Sequence, residues 1–227
     1  MANIVETLFG SQLFWSAPIA FAGLAFVWLA VLYLNRPIDG GEHLKKQLKT
    51  IIWIIIGARF AYPIFLTISQ YYIWSKSDIG KALLYSAIPD SVVQKLGILA
   101  GLSNGKLGYF YLYAFQRFWL GAIISVLIAC GFFMFLKMLK KHKERFFEDG
   151  ELELGFALAL VVGWPNFVIF LLMIFVFVII ISLVRIVAFK QKLTTLGYPF
   201  IFAALTALIF GTKIINVEID YSTNWPE

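Results

Sequence analysis

The sequence predicts an all-α fold: a polytopic integral membrane bundle of about six transmembrane helices, forming one membrane domain over residues 1–227. Three observations lead there. Hydrophobic residues make up 61% of the 227-residue chain and charged residues only 14%, whereas soluble domains carry about 25% charge. Mean hydropathy is +0.84. Apolar runs of about 20 residues, long enough to cross a hydrocarbon core of about 30 Å, recur between short basic loops.

The first predicted span runs from about Phe14 to Leu34, after a tail without Lys or Arg. That tail lacks a basic n-region, so no cleavable signal peptide is expected. The following loop, NRPIDGGEHLKKQLK, carries Arg36, Lys45, Lys46 and Lys49, with a turn marked by Pro37 and Gly40-Gly41. The second span covers about Thr50 to Trp74 and holds Arg59 near its middle and Pro63 just beyond. The segment Ser75 to Lys106 is too polar to span. A third span runs from about Phe118 to Leu136, and a basic loop with Lys137, Lys140, Lys141, Lys143 and Arg145 follows. Then come an acidic turn, with Glu148, Asp149, Glu151 and Glu153, and a short apolar helix from Leu152 to Gly163 that Trp164-Pro165-Asn166 breaks. The fifth span, about Phe167 to Val187, is closed by Arg185, Lys190 and Lys192. The last covers about Gly197 to Ile215.

The loops after the first, third and fifth spans hold most of the cations and are therefore predicted to face the cytoplasm, with both termini outside. This alternation requires the short helix to cross or nearly cross the membrane. At roughly 18 Å it falls short of the core, so it starts below the surface or is shielded by its neighbours. Its acidic start would be sunk toward the membrane interior, at a helix N-terminus where the dipole favours anions. Two meanings stay open: a chemical site, or acids that cap the helix and balance the loop before it.

Several function classes are excluded. The formal net charge is +6, but no basic stripe with interleaved aromatics lies outside the spans, so nucleic acid is not an expected partner. The single cysteine, Cys130, sits in an apolar run, which rules out a disulfide or a cysteine zinc site within one chain. His43 and His142 read as solvated loop residues. No cofactor and no metal are expected. Tyr71, Tyr72, Trp74, Tyr109, Tyr111, Tyr113 and Trp119 fall near span ends as an interfacial belt, with Arg117 among them. Lys140-Lys141-His142-Lys143 reads as an orientation determinant or a patch for anionic membrane lipids.

The segment GELELGFALALVVGWPN resembles the part of type IV prepilin peptidases that begins with their GxGD signature and continues as a short apolar helix. TTLGYPFIFAALTALIFG, Thr194 to Gly211, is similar to that family's last span, with Tyr198-Pro199-Phe200 keeping part of its opening turn. The resemblance covers about Phe146 to Gly211, so that 107–216 forms a prepilin-peptidase-like half after N-terminal spans over 14–106. The length, and the lack of any CxxC pair, suit the compact form without a methyltransferase domain. The resemblance implies a prokaryotic plasma-membrane aspartic endopeptidase cleaving basic leaders from pilin-like precursor peptides, alongside membrane-protein partners. Its chemistry needs two carboxylates sharing a proton, so that one acts as base and the other as acid.

Aligned residue by residue, Glu148 and Gly150 fall on the signature glycines and Glu151 on the signature aspartate. Asp149 is the adjacent substitute. The family's other aspartate lies several residues before an Ile-Pro-Asp, present here as Ile88-Pro89-Asp90, and the matching position is Ala82. Asp78 and Asp90 are the remaining candidates for the second carboxylate, although the charge count puts Ser75 to Lys106 across the membrane from Glu151. A degenerate, inactive member and a non-enzymatic assembly partner are the alternatives. A third arises from GGEHLKKQLKTIIWIIIGARFAYPIF, which resembles the Gly-Ala-Arg span of prolipoprotein diacylglyceryl transferases. There Arg59 would face a lipid headgroup; otherwise it pairs with a carboxylate or snorkels.

Overall fold

The computed structural model describes residues 12–36, 41–86, 88, 107–142, 147–189 and 195–223. Among these, all regular structure is helical: α1 (Gln12–Leu34), α2 (Gly41–Lys76), α3 (Asp78–Leu84), α4 (Gly108–Ala114), a π-helical turn (Phe115–Trp119), α5 (Leu120–His142), α6 (Glu151–Val162), α7 (Phe167–Phe189) and α8 (Gly197–Thr223). Four of the described helices are long and apolar enough to cross a membrane, through Ala17–Leu34, Glu42–Lys76, Gly108–His142 and Phe167–Val187. The other two expected spans differ for physical reasons. α6 has only 12 residues, and the described apolar part of α8 is confined to Gly197–Gly211. Asp90, Pro89, most of the polar segment before Lys106, the Pro37 and Gly40 turn, Lys143, Arg145, Lys190 and Lys192 lie outside the described residues.

Helix limits exceed the hydropathic limits wherever polar residues can continue a helix. α2 begins at Gly41, ahead of the expected Thr50, with Glu42 in its first turn where the helix dipole favours an anion. The His43 and Gln47 side chains meet one turn apart, 3.0 Å between their nitrogens, while Leu44 and Leu48 face inward. The third long helix likewise starts at Gly108, ten residues before Phe118 was expected to open it, because the aromatic run from Tyr109 to Trp119 is helical throughout.

The chain divides into two compact units, residues up to Ile56 with those from Ser125 onward, and Gly57–Ile124. The first is built round α6. Ten of its 12 residues are buried, as an all-round apolar helix demands. α1, α7 and α8 pack against it. Small residues set the spacing: a Cβ on Gly155 would lie 2.9 Å from both Leu136 and Phe200, and Ala157, Ala203, Ala204 and Ala207 are fully buried. Such residues let helix backbones approach where lipid offers no hydrophobic drive. The Phe132 ring meets Phe167, Phe170 and Phe200 edge to face. At its far end α6 stops at Gly163 with φ 63°, and the Trp164 N–H that follows donates to the buried Ser125 hydroxyl at 2.9 Å. The outward face of α7 presents Leu172, Phe175, Ile179, Leu183 and Val187, an apolar surface of the kind that suits a bilayer.

The second unit centres on Trp74, whose ring packs against Tyr109, Phe110 and Tyr113. Of the aromatic residues expected as a belt, Trp74, Tyr109 and Tyr113 thus pack together, while Tyr71 and Tyr111 stay exposed. Pro63 removes one donor from α2. Nearby, the Thr67 hydroxyl donates to the Pro63 carbonyl at 2.7 Å and accepts from Trp119 Nε1 at 3.1 Å, tying α2 to the π-helical turn.

Candidate functional site

The acidic turn ahead of α6 is where chemistry would be expected, and its geometry is set by one residue. Gly150 takes φ 87°, a left-handed conformation that costs L-residues about 1–2 kcal/mol. A Cβ there would also sit 3.0 Å from Leu44 Cδ2. Gly150→Ala is expected to destabilise the protein by about 1–2 kcal/mol, read as a lower denaturation midpoint in detergent.

The left-handed step turns Glu151 inward, where it is 0% exposed. A carboxylate so placed loses its water at a cost of several kcal/mol unless hydrogen bonds replace it. Four donors do. Tyr33 Oη and the Gly197 N–H each donate to Oε1 at 2.8 Å, and the Glu148 and Leu196 N–H groups donate to Oε2 at 3.0 and 3.2 Å. A carboxylate has about four lone-pair sites, so its capacity is filled by the chain itself. In the Glu148 contact the side chain folds back over the turn and accepts from the backbone N–H three residues earlier, ahead of the Gly150 N-cap. The Leu196 and Gly197 contacts cap a second helix: they are free N–H groups at the start of α8, and Glu151 supplies the anion their dipole favours.

The neighbouring acids point away to other partners. Glu148 pairs with Arg36. Asp149 lies 3.8 Å from Lys140 and Glu153 lies 3.9 Å from Lys45. Arg36 also stacks 4.1 Å over the Tyr33 ring, whose other contact is Tyr198, edge to face at 5.7 Å. One short turn therefore engages α1 and Arg36 two residues beyond it, the start of α2, the end of α5 and the start of α8.

Of the four candidate carboxylates, Glu151 is buried and Asp149 is largely exposed beside Lys140. Asp78 belongs to the second unit, fully exposed in the first turn of α3 with Lys81 at 3.5 Å. Asp90 is outside the described residues. None of the hydrogen bonds to Glu151 comes from a carboxyl group. Arg59 is partly buried on α2 and is not left without a partner. No cluster of His, Cys, Asp and Glu among the described residues could hold a metal. The residues that sequence reasoning missed are Tyr33, 118 positions from Glu151, and the backbone of Leu196 and Gly197. The sequence carried no signal for the second pair: Thr194-Thr195 just ahead of α8 offers capping residues of its own.

No family model matches the chain, and no curated protein or solved structure matches it.

Proposed function

We propose that this is a non-enzymatic integral membrane protein, a degenerate relative of the type IV prepilin peptidases that keeps the helical scaffold of a pilus or secretion assembly and has converted the signature acid into a structural clasp. The saturated carboxylate of Glu151 carries this reading. A general base must hold a water, and a dyad acid must share its proton with a second carboxylate. Here both oxygens are occupied by Tyr33 and three backbone N–H groups. The longer side chain of glutamate suits that task, since it reaches back to Glu148 and across to α8 from one position.

The reading includes six crossings, with α6 shielded inside the bundle and α8 as the last. The basic loops lie in the cytoplasm of a prokaryotic cell and both termini outside, in line with the distribution of cations. Pilin-like peptides or other membrane proteins of the assembly are the proposed partners.

A double-mutant cycle between Tyr33→Phe and Glu151→Gln tests the clasp. Each change lowers stability in detergent, and a coupling energy of about 1 kcal/mol or more is expected for directly bonded groups. Zero coupling removes the clasp. Cleavage of a co-expressed pilin precursor that Glu151→Gln abolishes and Tyr33→Phe spares would restore the peptidase.

A further inference from the structure

The acidic turn consumes three cations, Arg36, Lys45 and Lys140. Four more lysines stand at the same end of the first unit. Lys46 and Lys49 are on α2, Lys137 and Lys141 are on α5, all are exposed, and none forms an ion pair among the described residues. The neighbouring contacts of Lys45 with Glu153 and of Lys140 with Asp149 fix both stretches beside the start of α6. Members of each pair are three or four residues apart, which places their ammonium groups one turn apart on one helix face. Like charges so close repel unless an anion lies between them.

Apolar side chains accompany both pairs. Trp53 lies one turn deeper than Lys49, Met134 one turn deeper than Lys137, and Met138 between Lys137 and Lys141; all three are largely exposed. An ammonium above an exposed apolar side chain matches a phospholipid, with its phosphate at the interface and its acyl chain alongside the helix. An acidic soluble protein would leave Trp53 and the two methionines without a partner.

We propose that Lys46 with Lys49, and Lys137 with Lys141, seat the headgroup phosphates of anionic phospholipids at one face of the bilayer. The inference does not depend on whether Glu151 is a clasp or a catalyst. The test is binding of fluorescent phosphatidylglycerol, against phosphatidylcholine, to the full chain in neutral detergent, with K46Q/K49Q and K137Q/K141Q as variants. Wild-type protein is expected to prefer phosphatidylglycerol, and each double variant to weaken that preference by roughly tenfold or more, given roughly fivefold per lysine. Excess inorganic phosphate is expected to leave binding unchanged. Equal affinity for the two lipids, or double variants that bind like wild type, would overturn the proposal. Full competition by inorganic phosphate would also overturn it and point to a soluble phosphate ligand. Because the four lysines are exposed, the lipid-free melting temperature of both variants should match wild type, which confirms that they are folded.

Discussion

Glu151→Gln is expected to cost about 2–6 kcal/mol of stability, because two of the four buried donors lose their acceptor at about 1–3 kcal/mol each. The substitution keeps size and shape but changes the hydrogen bonding. The amide oxygen serves at most two of the four donors, and the amide nitrogen turns its own hydrogens toward the two that remain. Each buried N–H left unsatisfied costs about 1–3 kcal/mol. The measurement is equilibrium unfolding in detergent micelles, followed by tryptophan fluorescence. Tyr33→Phe, which removes a single bond to the charged group, should cost less, about 1.5–3 kcal/mol. Wild-type stability in Glu151→Gln would mean that the carboxylate is solvated and the four bonds do not hold.

Gly197→Ala carries the second large effect. A Cβ at this position would lie 1.9 Å from Tyr33 Oη and 2.1 Å from Cζ, so one of the two must move. Tyr33 is only 1% exposed and is held by Arg36 above its ring and by Tyr198 at its edge. Displacing it breaks the bond to Glu151, and shifting α8 instead breaks the two backbone bonds. The expected loss is about 3 kcal/mol, at the upper end of overpacking effects. Gly57→Ala is the control. Its Cβ would meet nothing within 4 Å, so in a helix interior it should stabilise slightly, by about 0.5–1 kcal/mol. Comparing the two melting temperatures in one detergent separates a steric effect from a general effect of alanine.

The helical class was legible because apolar runs between basic loops admit few other structures. Helix limits were less so. Leu44 and Leu48 sit among lysines, so hydropathy alone ended the second span near Thr50, although the buried leucines carry the helix back to Gly41. The crossing by α6 rested on charge alternation, which registers the sign of loops and not the length of the helix between them; with 12 residues, α6 is the element on which the count of six turns. At the site, the sequence located the acidic turn and singled out Glu151. It could not show what the acid does. Two of its four partners are backbone amides at the start of a distant helix, and another is a tyrosine whose type fits a lipid-facing or an inward role equally. Asp149 and Glu151 are two positions apart but diverge, since the left-handed Gly150 between them sends one outward and the other into the core.

The clasp also constrains how the chain can be assembled. Half of the donors that replace water around Glu151 come from Leu196 and Gly197, which leave the ribosome some 45 residues after the acid does. Until then the carboxylate must stay hydrated or protonated, and α6 cannot settle between its neighbours. Synthesis of the start of α8 is therefore the event that completes the set of donors around Glu151 and closes the first unit.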